Sequence, residues 1–226
     1  NAPFFENHLS YLGGTPEYFA TAFHAIFYNL KLMLLGQPLS FFYGYAEIGI
    51  NNWSDLTVWV GLIILLLSLL VLFWRRTNLL LKLAMVFLLP ALLLFSNLIL
   101  PVPGVVADRI LFIPVMAVGL LLAAGLFYVS QHIKRPVLQY LLIIPTIAIV
   151  GYYASVSKER VRDWESPLVL IETDLKKFPE SATIHGARAY YLMEAAYEEC
   201  GPNANSLWCE TIEELEAMVH IYPPLG

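Results

Sequence analysis

Asp108 and Arg109 stand side by side where a polar loop gives way to a long apolar run. An arginine at such a junction can take a phosphate or another anionic head group through two parallel hydrogen bonds, with the neighbouring aspartate orienting it. The same spacing also fits an ordinary interfacial ion pair, or an arginine that only anchors the helix end. A second cationic group, Lys158, Arg160 and Arg162 beside Trp164, follows the last apolar run directly. It suits an interfacial anchor, and it could equally steer a phosphate-bearing lipid. His24 and Lys31 lie seven residues apart, hence on one helix face, as a polar seam or as part of an interfacial segment. Glu47 and Asp55 are the only acids between residues 37 and 55. They could act as a general base or bind a metal, but without a histidine beside them they read as part of a solvated loop. Cys200 and Cys209, the only cysteines, flank a turn between two predicted helices. A disulfide across that turn and a pair of reduced thiols both fit. There is no glycine-rich phosphate loop, no GxSxG and no HExxH. These residue types assign no catalytic residue, metal ligand or cofactor to the chain.

The elements that must position these residues are apolar. Of 226 residues, 58% are hydrophobic and 14% charged, with a mean hydropathy of +0.65; soluble domains carry about a quarter charged residues. Charge-free runs at Leu56–Trp74, Ile110–Gln131 and Val137–Ser157 each match the ~20 residues that cross a ~30 Å hydrocarbon core. The expectation is an all-α, multi-span membrane protein with five spans, near 17–35, 56–74, 79–95, 110–130 and 137–156. The first is the weakest because it holds His24, Asn29 and Lys31. Residues 1–156 carry seven Lys/Arg and five Asp/Glu, whereas residues 157–226 carry six and thirteen. A membrane body over 1–156 is therefore followed by an acidic, water-soluble tail over 157–226. With no basic footprint to neutralise phosphates, nucleic acid is not a partner.

Basic residues in short connections set the orientation. Arg75, Arg76 and Lys82 lie between spans two and three, and Lys134 and Arg135 between spans four and five, which makes both connections cytoplasmic. Loops 37–55 and 96–109 and the tail then face outward, to the periplasm of a bacterial inner membrane or to the lumen of the ER. In the tail, helical spacing of apolar residues predicts helices over 167–177, 182–199 and 207–220. The last two, separated by Gly201-Pro202-Asn203, have the shape of one tetratricopeptide-type repeat. A single repeat needs another surface to cover both faces.

Several strings in order resemble one family. Pro38-Leu39-Ser40-Phe41-Phe42-Tyr43-Gly44-Tyr45 and Trp53-Ser54-Asp55 are similar to the outward loop of the transmembrane and tetratricopeptide-repeat O-mannosyltransferases and their bacterial relatives. Val106-Ala107-Asp108-Arg109-Ile110-Leu111-Phe112-Ile113-Pro114 resembles that family's next outward stretch, with Asp108 where Glu is usual and Phe112 where Tyr is usual. Arg160, Arg162, Asp163 and Trp164, then Phe178-Pro179-Glu180-Ser181-Ala182, resemble its approach to the repeats.

These enzymes are GT-C glycosyltransferases, which take a sugar from a polyprenyl-phosphate carrier and transfer it on the outer or lumenal side. The resemblance implies a donor-phosphate site at Arg109 and Asp108, with Arg160 and Arg162 as interfacial phosphate contacts. It also implies a lipid bilayer, a polyprenyl-phosphate-linked sugar, and a protein acceptor or partner subunit at the tail. The family's catalytic acid lies in the first outward loop, which would precede Asn1. The chain therefore reads as the C-terminal part of a longer enzyme, inactive alone, with a divalent metal left open for the full-length protein. The competing expectation is a non-catalytic membrane subunit that scaffolds a larger complex and docks a partner through its tail.

Overall fold

The computed structural model describes residues 7–99, 105–133, 141–198 and 204–221, and the regular structure among them is helical. A 3-10 turn, His8–Tyr11, precedes α1 (Pro16–Leu35), α2 (Leu56–Phe73) and α3 (Leu79–Phe95). A second 3-10 turn, Asp108–Leu111, leads into α4 (Phe112–His132), followed by α5 (Ile143–Asp163). The tail holds α6 (Pro167–Lys177), α7 (Ala182–Glu198) and α8 (Ala204–Ile221).

Capping residues set the helix starts. Thr15 and Ser166 accept hydrogen bonds from the backbone N–H of Tyr18 and Val169, each with proline at the first helical position. Asn78 caps α3 in the same way. α1 stops at Gly36, in the left-handed conformation (φ 66°), whose N–H returns to the Leu32 carbonyl at 2.7 Å.

Two helices, Leu56–Phe73 and Asp108–His132, are long and apolar enough to cross a membrane; Leu79–Phe95 is apolar but shorter. Only 22% and 28% of their most apolar windows are buried. The core helix of a soluble protein would be covered, whereas here Ile63, Leu66, Leu70, Val115, Met116 and Phe127 face outward. Exposed apolar surface on that scale calls for lipid or another apolar partner. The expected span 137–156 begins among residues outside those described. From Ile143 the helix runs unbroken through residue 156 to Asp163, past the expected body–tail boundary.

The expected span 17–35 is a helix, and it packs against the start of α2. The Trp53 indole donates to the Pro16 carbonyl (2.9 Å), the Asn51 amide to Thr21 Oγ1 (2.9 Å), and the Tyr18 hydroxyl to the Asn97 carbonyl. His24 Nδ1 lies 2.8 Å from Thr57 Oγ1. At the crossing, the Phe23 backbone leaves no room for a Cβ at Gly61, which is why glycine stands there. Further along, the Tyr28 ring packs on Tyr43, and the Tyr153 hydroxyl reaches the carbonyls of Met33 (3.0 Å) and Leu34 (2.6 Å). These partners all belong to the end of the helix bundle that carries loops 37–55 and 96–109 and the last turns of α5. α1 is therefore tied to that end while packing on α2. Polar residues on a nominal span are explained by this placement: His24 meets Thr57, and Lys31 Nζ sits 5.4 Å from the centre of the Tyr28 ring.

α7 and α8 form an antiparallel pair. Glu214 bridges it, 2.5 Å from His185 Nδ1 and also paired with Arg188.

Candidate functional site

The two loops of this end are joined by their backbones. The Tyr43 N–H donates to the Val106 carbonyl and the Asp108 N–H to the Ser40 carbonyl, both at 3.1 Å, so residues 40–43 and 106–108 run antiparallel. Tyr43 is fully buried and locks the turn. Its hydroxyl accepts from the Ser40 N–H (2.9 Å) and donates to the Pro38 carbonyl (2.5 Å), while its ring meets Tyr28 and Phe178 edge-on. Burial raises the Tyr43 pKa far above neutral, so the hydroxyl keeps its proton.

Beside this join lies a closed ion cluster centred on Arg160, which is 8% exposed. Its Nε donates to Asp108 Oδ2 (2.7 Å), and Nη1 and Nη2 grip the two oxygens of Asp174 (2.7 and 3.0 Å). Nη1 also reaches Asp163 Oδ2 at 3.1 Å. Asp174 is fully buried and accepts, in addition, from the Phe41 N–H (2.8 Å) and the Ser40 hydroxyl (3.2 Å). Lys177 closes the edge, 3.2 Å from Asp163 and 3.6 Å from Asp174. Burial opposes the charge on Arg160, but its hydrogen bonds to Asp174 and Asp108 more than offset this, and the guanidinium is held cationic.

Arg109 is different. It is exposed, has no carboxylate partner among the described residues, and makes one long hydrogen bond, Nη1 to the Phe41 carbonyl at 3.4 Å. It borders a cavity of about 310 Å³ whose other walls include Phe41, Trp164, Leu170, Ile171 and Tyr191. The chain neighbours Asp108 and Arg109 thus go to different partners. Asp108 serves Arg160, and Arg109 is left without a salt-bridge partner among the described residues, in a cavity that Glu165 also lines.

The remaining sequence candidates fall elsewhere. Arg162 is exposed and lines a second cavity, about 500 Å³, with Gly36, Pro38, Glu159, Thr173 and Lys177. Arg160 borders that cavity too, with its donors already engaged by three aspartates. Glu47 and Asp55 close local turns, accepting from the N–H groups of Gly44 (2.8 Å) and Asn52 (2.9 Å). Burial raises the Glu47 pKa. Among the described residues no three His, Cys, Asp or Glu side chains gather as a metal group. Cys209 is exposed on α8, and its expected partner Cys200 lies outside the described residues. Sequence reasoning did not single out Ser40, Asp174 or Lys177. Asp174 had a signal: it stands three and four residues after Ile171 and Leu170, on the buried stripe of α6, where an acid needs a partner.

No protein-family model, curated protein or solved structure matches this chain. Its function is therefore argued from the site.

Proposed function

We propose that this chain forms the donor-binding part of a GT-C type membrane glycosyltransferase, in which Arg109 holds the phosphate of a polyprenyl-phosphate-linked sugar. The observation that carries the reading is the exposed Arg109 guanidinium, without a carboxylate partner among the described residues, beside a cavity walled by Phe41, Trp164 and Tyr191 at the start of a helix apolar enough to cross a membrane. A polyprenyl phosphate has the matching parts in the matching order: an apolar chain for the bilayer, then one anion, then a polar head for the cavity.

In this arrangement α2 to α5 cross the bilayer and the basic connections face the cytoplasm. α1, residues 37–55 and 105–109 and the tail lie on the outer face, periplasmic or lumenal. When an acceptor hydroxyl attacks the anomeric carbon, the carbon–oxygen bond to phosphate breaks and negative charge grows on the departing phosphate. A fixed guanidinium at that oxygen stabilises the charge where it develops. Asp108, Arg160 and Asp174 act behind Arg109 and hold its surroundings. None of the described residues is assigned the removal of the acceptor proton.

The test is sugar transfer from a polyprenyl-phosphate donor by the full-length enzyme. Arg109→Ala is expected to lower kcat/KM by about 10- to 100-fold, the value of one bidentate charge-assisted contact. Undiminished transfer would remove Arg109 from the donor site. The scaffold reading draws on the exposed stripe Ile212, Leu215 and Val219 on α8. It requires a partner chain to cover loops 37–55 and 96–109, where the donor reading requires them open to lipid.

A further inference from the structure

The walls of the Arg109 cavity come from three separate parts of the chain. Phe41 belongs to the first loop, Arg109 to the 3-10 turn that leads into α4, and Leu170, Ile171, Ala187 and Tyr191 to α6 and α7 of the tail. The cavity therefore exists only while the tail is seated. One side chain ties the three parts together. Asp174, on α6, is fully buried and accepts from Arg160 on α5 and from the hydroxyl of Ser40 and the N–H of Phe41 on the loop. Through those two loop residues it reaches the site, because the Ser40 carbonyl takes the Asp108 N–H (3.1 Å) and the Phe41 carbonyl takes Arg109 Nη1 (3.4 Å).

We infer that Asp174 is a positioning residue that couples seating of the tail to the anion site, so that donor binding and tail docking favour each other. The inference rests on the donor-site reading of Arg109. Four donors converge on its two oxygens within 3.2 Å, which satisfies a buried carboxylate without water. Replacing it by asparagine removes one of the three carboxylate charges that hold Arg160. It also loosens the loop whose carbonyl orients Arg109 and lets the tail wall move. Because the coupling is reciprocal, a phosphate-bearing lipid bound at Arg109 should hold the tail down in turn.

The experiment uses the full chain in nanodiscs and titrates undecaprenyl monophosphate against wild type, Asp174→Asn, Arg109→Ala and the double variant. Asp174→Asn is expected to weaken binding by about 10-fold, within the range of coupling through a packed network. In the Arg109→Ala background it should have no further effect. A side chain that only stabilised the fold would weaken both backgrounds alike, and multiplying losses would overturn the inference.

A second readout is independent of the lipid. With Cys200 and Cys209 changed to serine, Arg109→Cys and Ala187→Cys are joined by a short bis-maleimide, with and without Asp174→Asn. The expected result is a sharp drop in cross-link yield in the Asp174→Asn chain. Unchanged yield would overturn the coupling. If Arg109→Ala binds lipid as well as wild type, the donor reading fails, and the cross-link alone decides whether Asp174 seats the tail. Should Asp174→Asn not fold, Ser40→Ala removes the hydroxyl that Asp174 shares with the Phe42 carbonyl and leaves the ion pairs intact. Its effect is expected to be about threefold on binding, with the same dependence on Arg109.

Discussion

Arg160 and Arg109 are both tied to the Ser40–Phe41 backbone, one through Asp174 and the other directly, yet their surroundings are opposite. Arg160 is held among three aspartates, its donors engaged by their carboxylates. Arg109 keeps one long hydrogen bond and faces open space lined by Trp164 and Tyr191. The difference shows how an aspartate next to an arginine in sequence can serve a different arginine in space. Its effect is to free its neighbour. A buried guanidinium in such a cluster fixes geometry, because removing one partner leaves a charge uncompensated. An exposed and unpaired one is available to a ligand.

The sharpest way to break the contrast is Arg160→Ala. It strands the buried Asp174 and is expected to cost about 3–5 kcal/mol of stability and to free the tail for proteolysis near 164–167. A melt within 0.5 kcal/mol of wild type would show that the cluster is not closed in solution. Next comes acid. If the end of the molecule that carries Arg109 is sealed elsewhere, buried His8, beside Tyr45, should resist protonation. Burial lowers its pKa from 6.5 to about 4. Between those values the unfolded chain binds a proton that the folded chain refuses. Stability is therefore complete above pH 6.5 and falls as pH drops through the window, by about 3 kcal/mol in all. His8→Gln should flatten that part of a pH–melting curve, and an unchanged slope would assign the acid sensitivity to other groups.

Smaller in energy, and opposite in kind, is Arg109→Ala. It should leave melting within about 0.5 kcal/mol of wild type while weakening a phosphate-bearing lipid by about 10- to 100-fold. Loss of both together would mean that Arg109 is as structural as Arg160. The smallest effect belongs to Lys177→Ala. Its nitrogen is at the rim, with the side chain 33% exposed, and its removal should cost about 0.5 kcal/mol, an effect that 1 M salt should erase.

Much of the helical framework was legible in the sequence. The apolar runs foretold α2, α3 and α4, and apolar spacing over 167–177 foretold α6, because such periodicity is local. What local pattern could not show is where a helix lies. Residues 17–35 have the length of a span, but local pattern could not show that Tyr18, Thr21 and His24 find their partners at Asn97, Asn51 and Thr57. The site was half legible for the same reason. Spacing singled out Arg109, but the partner of Asp108 lies 52 residues away and that of Phe41 133 residues away, separations at which no sequence period operates. The one missed clue was Asp174, an acid on the apolar stripe of a helix.

The contrast between the two arginines is tested most directly by titrating undecaprenyl monophosphate against the wild-type chain, Arg109→Gln and Arg162→Gln in nanodiscs. Arg162 is the control because it too is exposed and cationic but borders the other cavity. Binding should weaken by about 10-fold or more in Arg109→Gln and stay within about twofold of wild type in Arg162→Gln. Equal losses in both would reduce the site to a diffuse basic surface, and no loss in Arg109→Gln would contradict the central claim.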